Sequence, residues 1–251
     1  MIPGRSTAPD GHSTGHDNAR IEVRISVVRA DERDRARLLL IELVADVCDV
    51  AISQVRLDRE PSGRLFARGL PVHVSLSHTR GVVAVAVAAP AVGPIGVDIE
   101  TRRELPAEKL AARWFAPAEA AWVSGLAEPG RPTAFLWLWT QKEALGKALG
   151  TGLAGGSVLR QPVRVPDALV FDAPLPNHGQ LLTRHAANCE FRLAAVANSA
   201  PGVTSDLTGS QANAAPFAVA TRMDDVTVLS VAALGSAAVG TGVRVSYRDP
   251  A

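Results

Sequence analysis

The sequence predicts an α+β protein built from two α+β halves. Segments with strand and helix periodicity follow one another as strand, helix, strands, then helices, then strands, an order that suits mixed α+β layers rather than a bundle or a sandwich. The 251 residues suffice for one large domain or two small ones. With 47% hydrophobic and 20% charged residues, the chain can bury a core and is not a disordered sequence.

Residues 1–20 are rich in Gly, Ser, His and Asp and read as a disordered leader, with His12 and His16 in solvent. Residues 21–28 alternate as a strand. Residues 31–50 open on Asp-Glu-Arg-Asp and carry Leu38 to Val47 at helical spacing, so a helix is expected there. Arg33, Arg35 and Arg37 read as a solvated face of it. Pro61-Ser-Gly-Arg64 is a turn. Strands are expected at 72–76, 82–89 and 95–99, the first running into Ser77-His78-Thr79-Arg80-Gly81.

The second half begins near residue 101, which divides the chain into an N-terminal lobe at 21–100 and a C-terminal lobe at 101–251. Leu105 to Trp114 reads as helix, and Pro117 sits in the first turn of another. Residues 132–149 form a strong helix stopped by Gly150-Thr151-Gly152. Strands are expected at 190–197, 216–222, 226–234 and 242–247. Residues 198–215, polar and Gly/Ser/Asn-rich, are either a long loop or a disordered insert.

A net charge of +1 gives no basis for bulk nucleic-acid binding. Two cysteines, Cys48 and Cys189, imply no disulfide framework and fit a reducing cytoplasm. No apolar run reaches transmembrane length, and the N-terminus lacks the pattern of a signal peptide, so no membrane partner is expected.

The chemistry concentrates in two segments, Gly96-Val-Asp-Ile-Glu100 and Trp139-Thr-Gln-Lys-Glu-Ala-Leu-Gly-Lys147. On a strand, Asp98 and Glu100 share a face, with Val97 and Ile99 turned to the core. On a helix, Trp139, Glu143 and Lys147 form a row, with Lys142 beside Trp139. Three acids suit a hard divalent cation such as magnesium, and two ammonium groups suit a phosphate that the cation also holds. Only three of the 26 basic residues are lysines, Lys109, Lys142 and Lys147, so two of them fall in this one motif. That usage points to positions needing a compact ammonium rather than a guanidinium. Each segment alone has a plain alternative: Glu143 and Lys147 as a surface i, i+4 pair, and Asp98 and Glu100 as a strand end in solvent. His78, in a hydroxyl-rich turn, suits a loop that binds a phosphate or a sugar, and Gly63-Arg64 a turn presenting a guanidinium.

Gly-Val-Asp-Ile-Glu, followed by Trp-x-x-Lys-Glu-Ala-x-x-Lys and preceded by Ser-x-Ser-His-Thr, resembles the 4′-phosphopantetheinyl transferases, in particular the larger two-lobed class that activates nonribosomal peptide and polyketide synthases. The likeness covers roughly residues 30–160. It implies two similar α+β lobes in one chain, related by a pseudo-twofold axis, with the active site in the cleft between them and a monomeric protein. It implies transfer of the phosphopantetheine arm of coenzyme A to a serine of an apo acyl or peptidyl carrier protein, releasing 3′,5′-adenosine bisphosphate. By resemblance Asp98, Glu100 and Glu143 hold Mg²⁺, Lys147 lies near the pyrophosphate, and Lys142 is adjacent to it. Arg64, after Gly63, matches a basic residue near the nucleotide; Ser77 and His78 a phosphate-contacting loop; Arg37 a further contact. Glu143 is the expected general base, directly or through a water. Trp114, Phe115 and Trp122 suggest an apolar docking face for the carrier within 101–125. The rival readings are a magnesium-dependent hydrolase of coenzyme A or another nucleotide pyrophosphate, and a non-catalytic coenzyme A- or carrier-binding module.

Overall fold

The computed structural model describes residues 20–153, 157–163, 165, 189–195, 217–223, 227–235 and 238–248. The expected leader and the 198–215 connection lie outside the described residues, apart from residue 20. The architecture is α+β, as expected, and rests on two sheets.

The first sheet has seven strands in the order β2 (Leu57–Arg59), β3 (Leu65–Ala67), β4 (His73–Thr79), β5 (Val82–Ala88), β1 (Arg20–Val27), β11 (Gly242–Arg248) and β7 (Cys189–Arg192). The second has four, β6 (Ile95–Thr101), β10 (Thr227–Leu234), β9 (Phe217–Met223) and β8 (Ala194–Ala195). All described strand pairs are antiparallel except β1 with β11, where Val23 lies opposite Val245. Strand alternation decides where the core lies. Ile21, Val23 and Ile25 of β1 and Ala84 and Ala86 of β5 bury against Val97 and Ile99 of β6 and Leu229 and Val231 of β10. The opposite face of β5, with Val83, Val85 and Val87, is covered by Leu39, Leu40, Leu43 and Val44 of helix α1 (Glu32–Cys48).

β2 and β3 surface in the sequence only as the turn that joins them: three-residue strands are too short to show an alternation. Helix α2 (Ala107–Trp114) begins two residues later than expected, and α3 (Pro117–Gly125) follows. Helix α4 (Arg131–Leu149) packs on β6, β10 and β9 and ends where Gly150 takes φ +75°, which glycine adopts without penalty. A short helix, α5 (Ser157–Arg160), comes next. Among the described residues no helix is long and apolar enough to cross a membrane.

Candidate active site

Three elements build the site, and the sequence of each dictates its share. β4 places hydroxyls at every second residue, Ser75, Ser77 and Thr79, so that one face of the strand addresses β6. The Val97 N–H donates to Ser75 Oγ at 3.0 Å, Ser77 Oγ donates to Asp98 Oδ1 at 2.6 Å, and Thr79 Oγ1 donates to Glu100 Oε2 at 3.1 Å. β6 turns Ile95, Val97 and Ile99 into the core between the sheets, so Gly96, Asp98 and Glu100 lie on its other face. Helix α4 lies on that face. Gly96 admits it, since a Cβ there would stand 1.8 Å from the Ala144 carbonyl oxygen.

Lys147, from the last turn of α4, donates to the Val97 carbonyl at 2.9 Å and to Asp98 Oδ1 at 2.7 Å. Asp98 is only 5% exposed, and its second oxygen, Oδ2, is buried with no hydrogen-bond partner. An orphaned carboxylate oxygen is costly unless a ligand satisfies it. Asp98, Glu100, Trp139, Glu143, Lys147 and His78 line one pocket of about 260 Å³. Burial raises the Glu143 carboxyl to about 7, the negative charges of Asp98 and Glu100 push the same way, and the Lys147 ammonium opposes them. Three carboxylates in the pocket thus face two cations, Lys147 and the Arg103 guanidinium that pairs with Glu100.

That donor set fits a hard divalent cation in its chemistry: carboxylate oxygens, one of them without a partner, and an excess of negative charge. It is not drawn tight around one point. Among the described residues no three acid, histidine or cysteine side chains are grouped as a metal cluster. Glu100 Oε2 accepts from Arg103 at 2.6 Å as well as from Thr79. Arg103 was not among the expected residues: it lies past the end of β6, where neither strand nor helix period says which way it turns.

A second pocket, about 360 Å³, adjoins the first through the shared residues Leu76 and Lys147 and is lined by Gly63, Arg64, Gly150 and Gly152 among others. Gly63 and Arg64 thus lie beside the acid pocket. The Arg64 guanidinium is partly committed, donating from Nη2 to the Leu149 carbonyl at 3.0 Å, while its buried Nε makes no hydrogen bond and stands 3.8 Å from Glu60 Oε2. Ser77 and His78 line the acid pocket, Ser77 buried against Asp98 and His78 exposed. A larger cavity, about 390 Å³, at the N-terminal end of α1 between Arg29, Arg35 and Arg248 contains none of the expected residues, so chemistry and not size selects the site.

Two expected contacts are not brought there. Lys142 is fully buried, ion-paired to Glu119 of α3, and does not line either pocket. The cause is helix rotation: Lys142 lies about 140° round α4 from Lys147. Arg37 stays on the exposed face of α1, donates to the Leu57 carbonyl at 2.7 Å, and lines neither pocket. Phe115 cannot serve a docking face, because it is 1% exposed and stacks on Phe135 at 4.8 Å; Trp114 beside it is 37% exposed.

Comparison with known proteins agrees with the motifs. Residues 94–191, which contain both acidic segments, match the family model of the 4′-phosphopantetheinyl transferase superfamily. The chain is 28% identical over 116 residues, 46% of its length, to the 4′-phosphopantetheinyl transferase gsp of Aneurinibacillus migulanus. It is 45% identical over 65 residues, 26% of its length, to a Synechocystis sp. protein provisionally named for the same activity. The matched stretches cover 47% and 26% of those relatives, so the chain spans about half of their length or less.

Proposed function

Residues 94–191 belong to the 4′-phosphopantetheinyl transferase superfamily, and from that premise we propose that the protein moves the phosphopantetheine arm of coenzyme A onto a serine of an apo acyl or peptidyl carrier protein. The observation that carries the reading is Asp98: one oxygen is held by Ser77 and Lys147, the other is buried without a partner, and Glu143 faces it across the pocket.

In this reading the serine oxygen forms a bond to the phosphorus that bears the pantetheine arm. The phosphoanhydride bond to 3′,5′-adenosine bisphosphate breaks, and the serine proton goes to a Glu143 carboxylate oxygen, directly or through a water. Asp98, Glu100 and Glu143 would hold Mg²⁺, which supplies charge neutralisation at the pyrophosphate when bound. Lys147 sits where its ammonium stabilises negative charge gathering on the phosphate oxygens. Ser77 and the Val97 carbonyl fix the orientations of Asp98 and Lys147, so that little reorganisation accompanies the reaction. The adjoining pocket, with Gly63 and Arg64, takes the nucleotide end of coenzyme A. We further propose a cytoplasmic monomer of two related α+β halves, with the active-site cleft where β4 of the first sheet meets β6 and α4.

Mass spectrometry of an apo carrier incubated with the protein, coenzyme A and Mg²⁺ tests the proposal. A gain of one phosphopantetheine arm supports it. Coenzyme A cleaved without a carrier would replace the reading by a pyrophosphate hydrolase. Binding without chemistry would leave a coenzyme A- or carrier-binding module.

A further inference from the structure

Lys142 is the most deeply buried cation among the described residues, with no exposed surface. Its ammonium lies 3.0 and 2.8 Å from the two carboxylate oxygens of Glu119 and donates to the Gln161 carbonyl at 2.7 Å. It also stands 5.1 Å from the centroid of the Phe115 ring. Glu119 is equally committed. Its Oε2 accepts from the Ala116 N–H at 3.1 Å and its Oε1 from the Val163 N–H at 3.0 Å. One network therefore ties α4 to the start of α3 and to the segment that follows α5, with its charged atoms all partnered.

Such a network is not needed for stability alone. A buried ion pair is commonly replaced by apolar side chains of similar volume without loss, because desolvating two charges offsets their attraction. What it does impose is direction. A hydrocarbon at position 142 could settle against α3 in several ways, whereas the ammonium meets its three oxygen partners in one orientation. Lys142 precedes Glu143 by one residue, about 100° round the helix, so locking one azimuth sets the other.

We propose that Lys142 is a positioning residue: its pair with Glu119 fixes the rotation of α4 and thereby aims Glu143 and Lys147 at Asp98. A rotation of roughly 10° displaces a carboxylate about 6 Å from the helix axis by about 1 Å. A shift of that size costs on the order of a hundredfold in rate where reacting groups must be aligned. The kinetic part rests on the transferase reading; the geometric part does not.

The test uses the full chain with Lys142→Met, and with Lys142→Met/Glu119→Gln in case the single change leaves a buried carboxylate that prevents folding. The double variant removes both charges while keeping side-chain volumes close. It is expected to unfold cooperatively, to lose about a hundredfold in kcat, and to keep KM for coenzyme A within about threefold. Its crystal structure is expected to show the Glu143 carboxylate displaced by about 1 Å or more relative to Asp98, with the hydrogen bond from Lys147 to Asp98 broken. An α4 that keeps its place overturns the proposal whatever the rate does. So does a tenfold or greater rise in KM with kcat intact, which would make Lys142 a phosphate ligand instead. A wild-type protein without transferase activity would refute the proposed function, while the crystal structure would still decide the positioning.

Discussion

Gly96 and Ala144 set the distance between the strand and the helix that carry the acids: a Cβ on Gly96 would stand 1.8 Å from the Ala144 carbonyl oxygen and 2.8 Å from the Ala148 nitrogen. Both obstacles are backbone of one helix, so neither yields without moving α4. Gly96→Ala is expected to destabilise the protein by about 3 kcal/mol or more, at or beyond the upper end for overpacking, and to abolish transfer even where the variant still folds. Gly63→Ala is the control. It has open space around it and only its φ of +90° against it, so a loss of about 1–2 kcal/mol is expected. Urea unfolding of both variants checks the contrast, and equal losses would contradict it.

Glu143→Gln separates chemistry from stability. In the protein without cation, the Glu143 carboxylate faces Asp98 and Glu100 across a part-buried pocket, opposed only in part by Lys147. An amide removes that repulsion at nearly constant volume. The melting temperature in chelator-treated buffer at pH 8 is therefore expected to match or exceed that of the unaltered protein. Loss of a positioned base is expected to lower the transfer rate by about 10²–10⁴-fold. A variant that transfers the arm at the normal rate would remove Glu143 from its proposed role.

The legibility of the site followed the periods of its elements. Asp98 and Glu100 at i, i+2 and Glu143 and Lys147 at i, i+4 could be placed because strand and helix periods fix which residues share a face, and the structure gathers them in one pocket. Lys142 could not be placed by proximity in sequence. One residue from Glu143 it faces another way, and its partner Glu119 is 23 positions distant, on a helix whose packing no local pattern reveals. The alternating hydroxyls Ser75, Ser77 and Thr79 were a signal that could have been found, but not that Ser75 meets Val97 across 22 residues or that Arg103 turns back onto Glu100 from past the strand end. The pairing of β11 with β1, more than two hundred residues apart, had no signal at all in either strand.

Lys147→Arg tests whether position 147 needs a compact cation. The ammonium sits between the Val97 carbonyl and Asp98 Oδ1, at 2.9 and 2.7 Å, with 26% of its side chain exposed. A planar guanidinium keeps the charge but spreads its donors over a fork that this narrow site does not match. Transfer is expected to fall by about 10²-fold, as for a misplaced reacting group, with overall stability little changed. Full activity in the arginine variant, read in the same mass-spectrometric assay, would show that charge alone suffices there.

Glu32 gives a pH dependence that involves none of the three acids of the pocket. Its Oε1 accepts from the Gly81 N–H at 3.1 Å and so fastens the first turn of α1 to the β4–β5 turn beside His78. That backbone hydrogen bond, with smaller help from His78 and Arg80, holds the carboxyl below its ordinary 4.5. The folded state thus binds the proton less readily than the unfolded chain. The stability that Glu32 contributes is fully present above pH 4.5 and is lost as pH falls through the lower, folded value. Glu32→Gln is therefore expected to lower the urea midpoint at pH 7, and the gap to the unaltered protein should narrow steadily below pH 4.5 as the acid protonates. A gap that stays constant with pH would mean that Glu32 acts through packing, and that its bond to Gly81 carries no charge-dependent stability.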